Sequence, residues 1–427
     1  MGSAKNTFRA VKGMNDVLPA AKENFLNPAV WDFISEKATS TLEGYGYRQV
    51  RLPVVEETRL FARGIGEGTD IVGKEMYTFE DRGGRSLTLR PEGTAGATRA
   101  YVEHQFHRNN PLQRWWYMGP MYRAERPQKG RYRQFYQIGA ELFGTDSPAA
   151  DAEMLLMLWD WTQAMGLSDV SLKVNTLGDK ESRAAYRAAL TEHLAPHREE
   201  LCESCASRLD INPLRTLDCK RPSCREIVAD APDIMTCLTE SATTHFNRVC
   251  EFLEAARIPY DRERRLVRGL DYYTGTIFEF TTGSLGTQDA ILGGGRYDEM
   301  VEELGGTSTP AIGFAAGVER LALLLEGKID GERGPDLYVI PMENLEREAF
   351  ELAARLRKSS SLRVEVDVAG GKVKQQFRRA DRACARFALV LGETELAAGR
   401  GQLKELGSGE STEISLESTA IVDHLLQ

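Results

Sequence analysis

The stretch Arg265–Phe280, RLVRGLDYYTGTIFEF, is the most informative in this 427-residue chain. It sets an arginine, an aspartate and two adjacent tyrosines ahead of a β-branched and aromatic run, and a glycine-rich turn, GGGRYDEM (Gly293–Met300), follows it. Arg268 is an always-charged donor fork suited to a carboxylate or a phosphate. Tyr272 and Tyr273 each join an apolar ring to a polar tip. That mixture suits a pocket for a small aromatic or polar ligand. A buried Arg–Asp pair with two core tyrosines accounts equally well for the segment taken alone.

Outward from this stretch the chain reads as three regions. The first runs to about residue 325 and predicts a helix over 28–43, a strand over 47–55, and further strands over 75–80, 86–90, 114–122 and 133–143. Pro53 cannot donate a ladder hydrogen bond, which puts the 47–55 strand at an edge or a bulge. The last two strands are joined by the charged loop RAERPQKGRY (Arg123–Tyr132), and paired strands with polar turns indicate an antiparallel sheet. A helix is expected over 148–165 and strands over 170–176, 266–271 and 276–281, with a closing helix over 317–325. The second region, 178–260, is helical and charged and interrupts the first. The third begins near Gly334 and alternates strands (337–341, 362–368, 387–391) with helices (345–358, 373–385). That alternation argues for a small α/β domain with a largely parallel sheet.

Composition is that of an ordinary soluble globular chain, with 42% hydrophobic and 27% charged residues. No apolar run reaches the roughly 18 residues a membrane span needs. The N-terminus, MGSAKNTFRA, lacks the apolar core of a secretory signal, so the expected location is cytoplasmic. A net charge of −9 argues against wholesale nucleic-acid binding but leaves room for a local basic patch. KVKQQFRRADRACAR (372–386) is such a patch, or else a solvated helix face. Four of the seven cysteines are grouped as Cys202-x2-Cys205 and Cys219-x4-Cys224. The spacing suits a zinc knuckle, present or lost; the alternative is four thiols in a helical insertion.

No Walker-type loop is present, and the glycines at 293–295 do not have the dinucleotide-binding context of strand before and helix after. A nucleotide would have to be held by arginine. Arg123 ends a strand at the mouth of the charged loop, and Arg320 lies in PAIGFAAGVERLALLL (Pro310–Leu325) at a strand-to-helix junction. A guanidinium can grip phosphate bidentately and offset charge developing in nucleotidyl transfer. A surface arginine and a helix salt bridge are the plain alternatives.

The pieces also occur in a telling order. The strand with Pro53, the hairpin around Tyr122-Arg123-Ala124-Glu125 and the G-x-E-R element Gly317–Arg320 resemble the three signature motifs of class II aminoacyl-tRNA synthetases. RLVRGLDYYTGTIFEF and GGGRYDEMVEELGG look like the two peptides peculiar to histidyl-tRNA synthetases, and LTLRPEGTAG (Leu87–Gly96) and ERPQKGRYRQFYQIGAE (Glu125–Glu141) match them too. The resemblance covers nearly the whole chain. It departs from many relatives at Thr274-Gly275, after the tyrosine pair, and at Ala124, where histidine is frequent.

The resemblance implies an α+β catalytic domain built on an antiparallel sheet flanked by helices, in two parts (1–177 and 261–326). A helical insertion (178–260) separates them, and a C-terminal α/β anticodon-binding domain (334–427) follows. It implies ATP-dependent activation of L-histidine and transfer to the 3′ end of the histidine tRNA, with ATP and Mg²⁺, as a homodimer. Histidine would be bound by Glu92, Gly93 and Thr94 of the RPEGT element, by Gln137 and Glu141, and by Tyr272, Tyr273 and Tyr297. ATP would meet Arg123, Glu125, Tyr136, Arg268 and Arg320. Arg268 would be a fixed cation where related enzymes use a metal, and with Arg123 and Arg320 would form the catalytic set. Gln128, Lys129 and Arg131 would hold the acceptor end, and Lys372 and Arg378 the anticodon. Two other readings share the resemblance: a histidine-sensing regulatory paralogue of ATP phosphoribosyltransferase, and a sensor of uncharged tRNA. The first lacks the C-terminal domain and the second sits in a much longer kinase chain.

Overall fold

The computed structural model describes residues 8–19, 23–66, 69, 71–285, 290–329 and 334–426. The first seven residues, part of the segment read above as lacking a secretory core, lie outside the described residues. The chain forms two compact units, Met1–Lys328 and Ile329–Gln427. Among the described residues no helix is long and apolar enough to cross a membrane.

The first unit is organised by an eight-stranded sheet. Its order is Arg48–Gln49, Gln113–Tyr122, Gln134–Phe143, Ala311–Gly317, Ala290–Arg296, Thr274–Thr281, Ser171–Thr176 and Asp261–Arg262. The six central strands are antiparallel, and each edge strand pairs in parallel with its neighbour. The hairpin expected from the charged loop is present, in register from Gln113↔Phe143 to Tyr122↔Gln134. Tyr101, Trp115 and Phe143 pack beneath it, with the Tyr101 and Phe143 rings stacked at 4.3 Å.

Two helices cover the sheet as the sequence predicts. Pro28–Gly44 and Pro148–Ala164 each open on proline at the first helical position, where its missing N–H costs nothing. Asn27 and Ser147 cap them by accepting the N–H of Ala29 and Ala149. Asp151 on the second helix meets Arg296 of the sheet at 2.6 and 3.0 Å, both side chains buried, and so ties helix to strand.

In this first unit three expectations fail for identifiable reasons. Gly293–Gly295 is not a turn but the middle of strand Ala290–Arg296. A Cβ on Gly294 would lie 2.0 Å from the carbonyl oxygen of Gly313 on the adjacent strand, so close backbone approach outweighs glycine's low strand propensity. The strand expected over 47–55 is split. Arg48–Gln49 lies at the edge of the large sheet, and Val55–Glu57 joins a separate three-stranded sheet with Ser86–Leu89 and Tyr77–Glu80. Pro53, lacking an N–H, falls in the break. The run 266–271 is irregular loop; its Leu266 is buried and its Leu270 half-buried in the same apolar cluster as Leu214 and Leu217, instead of pairing.

The helices Lys180–Leu194, Glu203–Ile211, Pro222–Ala229 and Glu240–Ala255 all fall between Ser171–Thr176 and Thr274–Thr281, which are neighbours in the sheet. The second unit has a five-stranded sheet, ordered Val364–Val366, Leu337–Pro341, Phe387–Leu391, Arg400–Glu405, Ser411–Ser415. The first three strands are parallel and the last two antiparallel, which corrects the largely parallel sheet expected. The missed hairpin is mostly polar and exposed, so it carries little apolar signal.

Candidate active site

A cavity of about 440 Å³ lies over the central strands of the large sheet. Side chains alternate between the faces of a strand. That alternation brings Phe135 and Gln137 to the cavity from one strand and Glu279 from another. The loop before Thr274–Thr281 contributes Arg268, Tyr272 and Tyr273.

Arg268 rests on Gly293: a Cβ there would lie 2.6 Å from its guanidinium. This contact explains why the two sequence peptides belong together. Arg268 is ion-paired with Glu279, and its guanidinium sits 5.9 Å from the centre of the Tyr273 ring. Asp271 points away, accepting from the Asn212 amide at 2.9 Å with Arg215 at 3.6 Å.

On one side of Arg268 is a cluster of tyrosines and carboxylates. Tyr272 lies 4.6 Å from the Tyr273 ring and edge-on to Tyr297 at 5.8 Å. Glu141 is fully buried and accepts hydroxyl hydrogen bonds from Thr94 (2.8 Å), Tyr117 (2.9 Å) and Tyr297 (2.6 Å). Burial pushes its pKa up to about 8, against the lowering effect of those three donors. The same burial, with Glu141 beside them, raises Tyr117 and Tyr297 well above the usual tyrosine value, so both remain donors. Glu92 accepts the backbone N–H of Thr94 (2.6 Å) and Ala95 (2.8 Å) at the start of helix Thr94–Glu103. It also lines the cavity, where a carboxylate has lone pairs to spare.

On the other side the cavity is cationic. Arg123 donates to the Pro91 carbonyl (2.9 Å) and covers the Phe135 ring. Arg320 donates to the carbonyls of Gly130 (3.2 Å) and Ala290 (2.6 Å). Burial, then the neighbouring Arg131 and Arg123, push Arg320 below the usual arginine range. An anion would relieve that crowding. Glu125 accepts from Arg131 at 3.1 Å and also lines the wall.

Of the residues expected to touch histidine, Glu92, Thr94, Gln137, Tyr272, Tyr273 and Tyr297 line the cavity. Glu141 lies behind Tyr297 and Thr94, and Gly93 packs against the Tyr117 ring. Of the ATP set, Arg123, Glu125, Arg268 and Arg320 line it, but Tyr136 does not. One residue off the phase of Phe135 and Gln137, its ring packs edge-on to Trp31 at 5.1 Å. Arg131 lines the cavity, and exposed Gln128 and Lys129 sit beside it in a tight turn closed by Gln128–Arg131 backbone bonds. In the second unit Lys372 and Arg378 are exposed. Two other arginines of that basic run are structural: Arg379 chelates Asp367 at 2.6 and 2.8 Å, and Arg386 donates to the Leu425 carbonyl.

Sequence reading missed Tyr117, Glu279 and Glu319. Glu319 accepts the Tyr136 N–H, and burial raises it to about 8. Its place beside Arg320 in the G-x-E-R element was the one signal for it; Tyr117 and Glu279 offered only strand periodicity.

The histidyl-tRNA synthetase family model matches residues 13–321, and the anticodon binding domain model matches residues 336–422. The histidine–tRNA ligase of Alkalilimnicola ehrlichii is 49% identical over 422 residues, covering 98% of this chain and 96% of that protein. That of Trichlorobacter lovleyi is 48% identical over 416 residues, covering 97% of each. The crystal structure of apo histidyl-tRNA synthetase from S. aureus superimposes with a TM-score of 0.80 at 35% identity, covering 99% of this chain and all of that one. With both units matched and the likeness running nearly end to end, this chain belongs to the histidyl-tRNA synthetase family of class II fold.

Proposed function

We propose that this chain activates L-histidine with ATP and transfers it to the 3′ end of the histidine tRNA. One observation carries the reading: a single cavity joins a tyrosine–carboxylate cluster to a cluster of arginines, with Arg268 between them. Its near full-length similarity to histidine–tRNA ligases supports the same conclusion.

In this reading Tyr272, Tyr273 and Tyr297 enclose the imidazole. Glu92 and Gln137 read its polar atoms and the amino group, and Glu141 with Thr94 holds that wall. A ligand without an imidazole would leave these buried polar groups unpaired, which is costly. Arg123 and Arg320 grip the phosphates of ATP. Arg268 exchanges its contact with Glu279 for the histidine carboxylate and the α-phosphate.

The histidine carboxylate attacks the α-phosphorus, a P–O bond forms and pyrophosphate leaves with the electrons of the bond broken. A carboxylate nucleophile needs no general base. The negative charge building on the α-phosphate falls against Arg268 and Arg123, already in place, which is the cheapest form of stabilisation. The tRNA 3′ hydroxyl then attacks the histidyl carbonyl carbon and releases AMP. Gln128, Lys129 and Arg131 guide the acceptor end, and Lys372 and Arg378 contact the anticodon arm.

Mg²⁺ enters with ATP and compensates phosphate charge. Glu279, which lines the cavity and is released when Arg268 turns to the substrate, is the carboxylate that would reach it or its waters. The reading extends to a cytoplasmic homodimer, with the short edge strand Arg48–Gln49 and its flanks as interface.

Purified protein should exchange pyrophosphate into ATP only when histidine is supplied. Histidine binding without exchange would favour the regulatory paralogue. The presence of the second unit, matched to an anticodon binding domain, weighs against that alternative.

A further inference from the structure

The cysteine-bearing segment plays no part in the chemistry above, yet among the described residues it holds the one group of three or more metal-capable side chains placed closely enough to share an ion. Cys202 caps helix Glu203–Ile211 and Cys205 lies in its first turn. Cys219 follows the short turn Pro213–Thr216, and Cys224 lies in the first turn of helix Pro222–Ala229. Cys205 and Cys224 are fully buried, the other two half-buried, and none is in a disulfide. All four sulfurs lie within 4.8 Å of one another, and those of Cys202 and Cys219 are 3.9 Å apart. A tetrahedral shell with Zn–S bonds of about 2.3 Å has sulfur–sulfur edges of about 3.8 Å.

The surroundings are built for negative sulfur. The Cys202 N–H donates to the Cys224 sulfur at 3.2 Å. The backbone N–H of Cys205 is directed at the Cys202 sulfur, and that of Arg221 at the Cys219 sulfur. Both helix N-termini, the positive ends of their dipoles, meet at the cluster. Leu201, Ala206 and Ile227 pack round it, and Cys205 and Cys224 are shut off from water. Four neutral thiols would gain little from this many aimed donors.

We propose that Cys202, Cys205, Cys219 and Cys224 form a structural zinc site. Four protein ligands leave no open position, so the ion's role is to hold the fold and not to take part in the reaction. Binding is Zn²⁺ plus four thiols giving a tetrathiolate of charge −2 and four protons released to solvent. The chain between the second and third ligands carries Asn212 and Arg215, which grip Asp271, and Arg215 also donates to the Gly269 carbonyl at 2.9 Å. Asp218 and Lys220, flanking Cys219, line the substrate cavity itself. The ion therefore pins the loop that positions Arg268, Tyr272 and Tyr273. This second half rests on the histidine-activating reading of the cavity.

The full-length protein, purified without added metal, should contain one zinc per chain by elemental mass spectrometry. Cys202→Ser/Cys205→Ser should abolish it. Replacement by Co²⁺ should produce the visible ligand-field and sulfur charge-transfer bands of a tetrahedral thiolate site. Should that variant fail to fold, the wild-type metal content and cobalt spectrum still decide. A protein free of zinc, unable to take up Co²⁺, with all four thiols freely titratable or paired in disulfides, would overturn the site. Chelation of the wild type should raise the histidine KM about tenfold, restored by zinc; an unchanged KM would overturn the coupling. Bound zinc without histidine-dependent exchange would leave the metal site standing and remove the proposed reaction instead.

Discussion

At the scale of single residues, Arg268 and Glu141 carry the sharpest expectations. Arg268 touches both the tyrosine cluster and the glutamate facing the phosphate arginines. Arg268→Ala should lower histidine-dependent pyrophosphate exchange by about 10²–10³, the usual cost of losing one preorganised transition-state donor. An exchange rate left within twofold of wild type would falsify its proposed role. Glu141 titrates near 8 in the fold against an ordinary value of 4.5, so the folded state binds the extra proton between those limits. Its contribution to stability is therefore complete below about pH 4.5 and is lost as pH rises towards 8. Denaturation of the ligand-free protein should show stability falling across that window, by at most about 1.4 kcal/mol per pH unit from this group. Glu141→Gln should flatten the slope, leaving the shares due to Glu319 and Glu92, which burial also raises. Arg268, Glu92 and Arg320 were legible as residues because their types and spacing are unusual. Tyr117 was not, since a tyrosine in an apolar strand looks the same whether it donates to a buried carboxylate or fills the core.

At the scale of elements, the glycine strand Ala290–Arg296 shows what local propensity misses. Gly293 makes room for Arg268 and Gly294 for the next strand, and both reasons lie outside the segment. The same strand ends at Arg296, whose buried pair with Asp151 anchors helix Pro148–Ala164. Asp151→Ala would strip the buried Arg296 of the closer of its two carboxylates, leaving Asp298 at 3.2 Å, and should cost about 3 kcal/mol in chemical denaturation. The helices and the long hairpin were readable because their caps, prolines and alternation are local signals. The split at Pro53 was half readable: the missing N–H announced an edge but not the second sheet that receives Val55–Glu57.

At the scale of the whole molecule, the two units divide the work, with the cavity in the first and the anticodon-domain match in the second. Lys372→Ala/Arg378→Ala should therefore lower kcat/KM for tRNA charging while leaving pyrophosphate exchange unchanged. The salt dependence of charging should flatten by about one unit of slope for each tRNA phosphate that is no longer neutralised. A parallel fall in exchange would mean that the substitutions had disturbed the first unit as well.

What the sequence determined by itself was the order of the motifs, the family they resemble and the identity of most charged groups at the site. Those are properties of residue type and spacing. Which face each strand presents, and so the exclusion of Tyr136, was decided only by the fold. So were the partner of Arg268, the raised pKa of Glu141 and the gathering of four sulfurs within 4.8 Å. The reason is common to all of them: burial, close backbone approach and charge pairing depend on neighbours far away in the chain, and no local pattern records them.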